Sequence, residues 1–258
     1  MIAIEKVTVD YGQRRILDSI DFEIEGGEFV SIVGETGCGK STLLRLLLAE
    51  EMPTTGRVLV NGVARTQPDR HCGYVPQRYS LFPDKTVLDN VMFGPMVTSK
   101  IGLGYFKRKR AIRDEALEYL KHTGLTKADA AKYPHQLSGG MQQRVAIAQA
   151  LIMKPEILLM DEAFSALDPA TRSGMQRLIK RLWRESGTTI VFVTHNTREA
   201  VCLATRVIGL AKHGESGSSI AVDLSVDHID FDCPGNELDE AIDHIERGPS
   251  RIPEYAVL

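Results

Sequence analysis

Three short apolar runs punctuate the chain: EFVSIVG (28–34), EILLMDE (156–162) and TTIVFVTH (188–195). Runs of this length, bounded by turn residues or charge, predict buried strands. They alternate with segments whose apolar residues recur at helical spacing, so the chain reads as an α/β core with largely parallel strands. The beginning differs. IAIEKVTVDYG, SIDFEIEGG and GRVLVNG (56–62) are short, alternating and glycine-bounded, which predicts an antiparallel β subdomain covering one side of the core. From about residue 86 to 152 strand signals fade, and KRKRAIRDEALEYLKHTGL and MQQRVAIAQALI carry the helical period, so an α-helical subdomain is inserted there. VTSKIGLGYF (97–106) has no clear period and reads as a loop. After residue 195 the pattern predicts a short helix, a strand at RVIGLA, a polar link KHGESGSS and an acidic tail. In that tail Asn236 is placed to cap a helix whose Leu238, Ile242 and Ile245 share one face. The expected organisation is a core over 1–212 and an extension over 213–258, a sheet addition and a helix docked on the core.

Composition narrows the function classes. With 258 residues, 43% of them hydrophobic, the chain can bury a sizeable core, and its net charge of -3 leaves no basic footprint for nucleic acid. The longest apolar runs fall far short of the roughly 20 residues that span a bilayer, so a membrane role is expected to pass through a partner. The charged, alternating start reads as a strand, not a leader, and places the chain in the cytosol. Cys38, Cys72, Cys202 and Cys233 form no CxxC pair, which suits free thiols in a reducing compartment.

GETGCGKST (34–42) brings chemistry into the picture. It fits G-x-x-x-x-G-K-[ST], follows an apolar strand and opens the helical run STLLRLLLAE. The glycines let the backbone N–H groups of Gly34, Glu35, Thr36, Gly37, Cys38, Gly39 and Lys40 turn inward, while the helix beginning around Ser41 and Thr42 presents its positive end to phosphate. Lys40 is placed for the β- and γ-phosphates, and Ser41 for Mg²⁺. The cofactors implied are ATP and Mg²⁺.

A second requirement is an acid for the metal and a group to activate water. Asp161 and Glu162 stand where the strand ILLM ends, at the edge where ligands of α/β sheets bind. Asp161 suits Mg²⁺ or its waters, and Glu162 suits a general base. His195 ends another strand and reaches the same rim, either as a structural histidine or as a contact for the γ-phosphate. HQLSGGMQQRVAIAQAL (135–151) resembles the start of another phosphate-binding helix, yet no lysine follows it.

Taken in order, GETGCGKST, VPQ, LSGGMQQR, LLMDEA, SALD and VTH resemble the ATP-binding subunit of ATP-binding-cassette (ABC) transporters over about residues 2–210. The resemblance implies that two copies pair as a homodimer or paired cassette, each ATP lying between one phosphate loop and the other copy's Ser138, Gly139, Gly140 and Gln142. It also implies that Tyr11 stacks on adenine, that Gln77 joins Ser41 and Asp161 around Mg²⁺, and that Asp168 makes an inter-subunit contact. Departures are Thr36 and Cys38 where serine and glycine or serine are common, Ala163 for the frequent proline, and Asn196 for the usual aspartate. None removes a catalytic group.

MDEAFSALDPATR and LWRESGTTIVFVTHNTREA look most like importers for nitrate, sulfonate or taurine. The partners implied are integral-membrane permease subunits at the cytoplasmic face, with a solute-binding protein acting indirectly, and no nucleic acid. A soluble cassette ATPase acting on nucleic acid or ribosomes is the alternative; such proteins usually fuse two cassettes or insert long coiled coils, and one motif set stands here. A phosphate-loop kinase or GTPase would leave LSGGMQQR unexplained. Two further expectations come from the residues. Cys38, among inward N–H groups beside Lys40, is expected to have a lowered pKa and to react with alkylating agents. FKRKRAIR (106–113) reads as a solvated helix face, or as a contact for anionic lipid headgroups or permease loops.

Overall fold

The computed structural model describes residues 1–69, 71–78, 81–98, 105–165, 167–226 and 235–247. The chain divides into two compact units: Met1–Asp69 with Gly187–Leu258, and Arg70–Ser186. The first unit opens with β1 (Ile2–Tyr11) and β2 (Arg14–Ile24), an antiparallel pair whose turn is made by Gly12 at φ 62. Along β2 the alternation of the sequence becomes alternation of burial: Leu17, Ile20, Phe22 and Ile24 turn inward, and the polar residues between Ile20 and Ile24 turn out. Strand β3 (Phe29–Gly34) has no exposed position before Gly34, as its continuous apolar run requires. Helix α1 (Lys40–Leu48) follows the glycine-rich loop, and β4 (Thr55–Val60) returns antiparallel to β1 before the short β5 (Val63–Ala64). The antiparallel subdomain is therefore present where alternation predicted it.

The second unit is built from β6 (Cys72–Val75), α2 (Val87–Thr98), α3 (Tyr105–His122), α4 (Gly139–Leu151), β7 (Ile157–Asp161) and α5 (Pro169–Ser186). Val87, Val91, Ala116, Leu120, Val145 and Ile152 pack α2, α3 and α4 around one apolar cluster. Burying such side chains is worth roughly 1.5–3 kcal/mol each and holds the three helices without disulfides. Strands β6 and β7 run parallel and in register from Cys72 opposite Ile157 to Val75 opposite Met160. The part of 97–106 described as structure is helical at both ends, since α2 runs to Thr98 and α3 starts at Tyr105; residues 99–104 lie outside the described residues.

The chain then completes the first unit with β8 (Thr189–Val193), α6 (Thr197–Leu203), β9 (Arg206–Lys212), β10 (Ser218–Ser225) and α7 (Gly235–Arg247). Strand β3 lies between β8 and β9, parallel to both. The polar link after β9 is a hairpin turn, closed by His213 N–H donating to Gly217 O at 2.8 Å, and β10 pairs antiparallel with β9. Helix α7 packs on α6 and buries Leu238, Ala241 and Ile245. Asn236 lies inside this helix instead of capping it, because the helix already includes Gly235. Cys233 lies outside the described residues.

Candidate functional site

In the first unit the end of β3 turns directly into the phosphate loop. Gly34 has φ 154, and a Cβ there would lie 2.6 Å from the carbonyl oxygen of Leu210 and 2.7 Å from Cys38 Sγ. Gly39 adopts φ 97 and starts α1 without a side-chain cap. The first N–H groups and positive end of α1 are therefore offered to an anion, as a phosphate cradle requires. Lys40 is buried, and its ammonium is drawn back over the loop, donating to Gly34 O at 2.6 Å and Glu35 O at 3.0 Å. Glu35, Thr36, Gly37 and Ser41 are exposed along the loop, and Thr42 is buried with its hydroxyl accepting from Arg45 at 3.2 Å.

Cys38 corrects an expectation. Its thiol is 1% exposed, and burial pushes its pKa up, outweighing the lowering by the Lys40 ammonium. It packs under the loop as a small apolar filler.

Tyr11, at the end of β1, keeps 45% of its surface exposed while its hydroxyl donates to Glu51 at 2.7 Å and accepts from Arg45 at 3.2 Å. An aromatic ring held by its hydroxyl is a stable stacking surface for a base.

His195 belongs to the same unit. Thr194 N–H donates to Ile32 O, so the turn after β8 is fastened to the end of β3 beside the phosphate loop. A cavity of about 860 Å³ brings Glu35 and Thr36 together with His195 and, from α7, with Ile245 and Arg247. The turn is locked on both sides of the histidine. Thr194 Oγ1 donates to the buried Glu199 carboxylate at 2.6 Å and accepts from Asn196 N–H at 3.1 Å. Asn196 caps α6 by accepting from Glu199 N–H at 3.0 Å, so asparagine here performs the capping that aspartate would. Sequence reasoning missed Thr194 and Glu199, because a threonine at a strand end carries no signal until its partner one helix turn away is known.

In the second unit β7 delivers Asp161 and Glu162, and β6 delivers Gln77. Because Val75 sits opposite Met160, Gln77 and Glu162 both lie two residues past that pair, at the same end of the strands. The Gln77 amide donates to Glu162 Oε2 at 2.8 Å. Glu162 has φ 42, a left-handed conformation that an L-residue adopts at a cost of roughly 1–2 kcal/mol. The cost is carried by its surroundings: Ala163 and Phe164 are buried, Ser165 N–H donates to Glu162 O at 3.0 Å, and Arg172 donates to Phe164 O at 3.2 Å and Leu167 O at 3.1 Å. Arg172 is a positioning residue the sequence pattern did not single out, since an arginine in the first turns of an amphipathic helix reads as solvated. Asp168 accepts from Thr171 N–H at 3.1 Å and caps α5, and hydrogen bonding from the Thr171 side chain first, then from its backbone N–H, holds the carboxyl below the usual range.

The lysine-free glycine stretch forms the start of α4. Ser138 is exposed and its side chain accepts from Met141 N–H at 3.3 Å. Gly139 and Gly140 are the first helical residues, and a Cβ on Gly140 would approach Thr171 Cγ2 to 2.9 Å. Gln142 turns its amide back, donating to Pro134 O at 3.0 Å and Leu137 O at 3.3 Å, so this amide holds the helix start in place. Beside β6, a groove of about 410 Å³ is lined by Tyr74, Pro76, Phe93, Ala146 and Met153, between α2 and α4. Asn90, fully buried, organises the segment before α2 by accepting from Phe82 N–H at 2.7 Å and donating to three carbonyls.

Residues 17–165 match the family described as ABC transporter. The chain is 46% identical over 216 residues to an aliphatic sulfonates import ATP-binding protein of Pseudomonas putida, covering 83% of this chain and 74% of the relative. It is 43% identical over 224 residues to the protein of the same description from Yersinia pestis, covering 86% and 77%. Among solved structures it resembles a dimeric ATP-binding cassette in a post-hydrolysis state bound to ADP and Pi, with a TM-score of 0.74, 34% identity, and coverage of 88% of this chain and 99% of that one. It also resembles a cassette from Clostridium perfringens that is part of an ABC transporter complex, with a TM-score of 0.75, 27% identity, and coverage of 88% and 89%. The family match over residues 17–165 and these identities show that the chain belongs to the ABC transporter family.

Proposed function

We propose that this chain energises a membrane importer for a small organic anion of the sulfonate type, with each ATP held between two copies. The observation that carries this reading is the division of labour between two helix starts. One, at α1, has a lysine and no cap; the other, at α4, is exposed, serine-capped and lysine-free. A lysine-free start supplies N–H donors and a helix dipole but needs the lysine of another copy to complete a nucleotide site.

In this reading Lys40 leaves the carbonyls of Gly34 and Glu35 for the β- and γ-phosphates, and Tyr11 stacks on the base. Ser41, Gln77 and Asp161 offer the hydroxyl, amide and carboxylate oxygens that a hard ion such as Mg²⁺ prefers. When bound, Mg²⁺ withdraws charge from the phosphate oxygens. Glu162, aimed by Gln77, takes the proton of the attacking water. His195 reports on the γ-phosphate through its fastened turn. Ser138, Gly139 and Gly140 donate to the other copy's nucleotide, and Gln142 keeps their helix start rigid. The groove beside β6 suits a permease segment, because its walls include Pro76, next to Gln77, and Ala146 of α4, whose start carries Ser138. The chain then sits peripherally on the cytoplasmic face, and a solute-binding protein selects the solute.

Glu162→Gln should bind ATP, lose turnover by on the order of 10²–10⁴-fold and accumulate as an ATP-dependent dimer by size exclusion. Adding Ser138→Arg should abolish that dimer while ATP binding persists. A dimer that survives Ser138→Arg removes the composite site. Reconstituted with sulfonate-importer permease subunits, its ATPase should rise when sulfonate-loaded binding protein is added; no rise overturns the sulfonate assignment.

A further inference from the structure

Just after its first residue, Tyr105, helix α3 carries Phe106, Lys107, Arg108, Lys109 and Arg110, and Arg113 follows within a turn. All six side chains are exposed, Phe106 at 85%. None of the five cations has a hydrogen-bond or ion-pair partner among the described residues, whereas further along the same helix Glu115 pairs with Lys154 at 2.7 Å and Glu118 with Lys121 at 3.9 Å. Two electrostatic penalties coincide here. Like charges are consecutive, and they occupy the positive end of a helix whose first turn has no acid. Burial along α3 is complete only at Ala116 and Leu120, so the first turns project from the apolar cluster. At 3.6 residues per turn Phe106, Arg110 and Arg113 fall on one stripe.

An anionic surface relieves both penalties at once, and an exposed aromatic among cations gives that surface an apolar foothold. The whole chain carries a net charge of -3, so any attraction to an anionic surface has to be local. The groove suited to a protein segment lies beside β6, and none of these residues lines it. We propose that the start of α3 is an interfacial anchor for anionic phospholipid. Phe106 enters the headgroup boundary, and Lys107, Arg108, Lys109, Arg110 and Arg113 bind the phosphodiesters. This surface acts directly on lipid and does not depend on the importer reading.

The test is sedimentation of the full-length chain with vesicles of phosphatidylcholine containing about one third phosphatidylglycerol, against vesicles of phosphatidylcholine alone. Binding should require phosphatidylglycerol and fall away in 1 M salt, where the screening length is about 3 Å. Each cation near an anionic surface is worth about fivefold in affinity. Reversing Lys107, Arg108, Lys109 and Arg110 to Glu should therefore lose on the order of 10²-fold or more. The milder pair Lys107→Gln and Arg108→Gln should lose about 25-fold, and Phe106→Ser should weaken binding with its salt dependence unchanged. ATP binding, measured in parallel, should stay at the parent level and shows that each variant is folded. Equal sedimentation with both vesicle types, or a Gln pair that sediments like the parent, overturns the proposal. So does a set of variants that lose permease binding in detergent while keeping lipid binding, which would make the patch a protein contact.

Discussion

Replacing Thr194 with valine tests whether the His195 turn is held as described. The change is nearly isosteric and removes one hydroxyl from a position 2% exposed. Two bonds go with it: the 2.6 Å donation to the Glu199 carboxylate and the 3.1 Å acceptance from Asn196 N–H. A hydrogen bond to a charged group contributes about 1.5–3 kcal/mol and a neutral one about 0.5–1.5 kcal/mol. Asn196 is exposed, so water replaces part of the second bond, and the expected loss is about 2–3 kcal/mol. The phosphate loop and Lys40 are untouched, so KM for ATP should hold while kcat drops by about tenfold, equivalent to about 1.4 kcal/mol of lost transition-state stabilisation. Urea unfolding and steady-state ATPase on the parent, Thr194→Val and Thr194→Ser would measure both effects. Serine keeps the hydroxyl and should restore most of each. A valine variant within about 0.5 kcal/mol of the parent, with unchanged kcat, would refute the idea that this hydroxyl fastens the turn.

Two further outcomes follow from local chemistry. Because burial raises the Cys38 pKa, its thiolate is scarcer at neutral pH than that of an exposed cysteine, so iodoacetamide should label the half-buried Cys72 first and leave Cys38 unmodified until the chain unfolds; fast Cys38 labelling that inactivates the ATPase would restore the reactive-thiol view. Asp129, bonded to Lys132 at 2.7 Å and to Thr126 N–H and hydroxyl, has its pKa lowered from 3.8 to about 2. Its folded pKa lies below the unfolded value, so the stability it contributes is present above about pH 4 and is lost as pH falls through about 2. Asp129→Asn should cost up to about 2 kcal/mol at pH 7 and progressively less below pH 4; a cost independent of pH would show that the pair with Lys132 contributes nothing.

The reach of the sequence differed from element to element for physical reasons. Strands β3, β7 and β8 were legible because burial on both faces demands an unbroken apolar run. Strand β6 was not: Cys72–Val75 is only four residues, includes a glycine and is a strand because β7 pairs with it. The hairpin after β9 was hidden for a similar reason. His213 and Gly217 close a turn whose polar residues look like a link until the two strands meet.

At the site, the sequence by itself determined which groups are available: a lysine at a glycine-rich loop, paired acids at a strand end, and a serine with two glycines at a helix start. Those chemistries depend on residue type and short spacing, and both are written along one chain. Only the tertiary structure decided how the groups are held and tuned. The Cys38 thiol has a raised pKa because it is buried at the loop, and burial outweighs the neighbouring ammonium. Glu162 tolerates a left-handed backbone because Arg172, from the next helix, grips the carbonyls after it. Desolvation and hydrogen bonding between residues distant in sequence set these properties, and spacing along the chain carries no record of either.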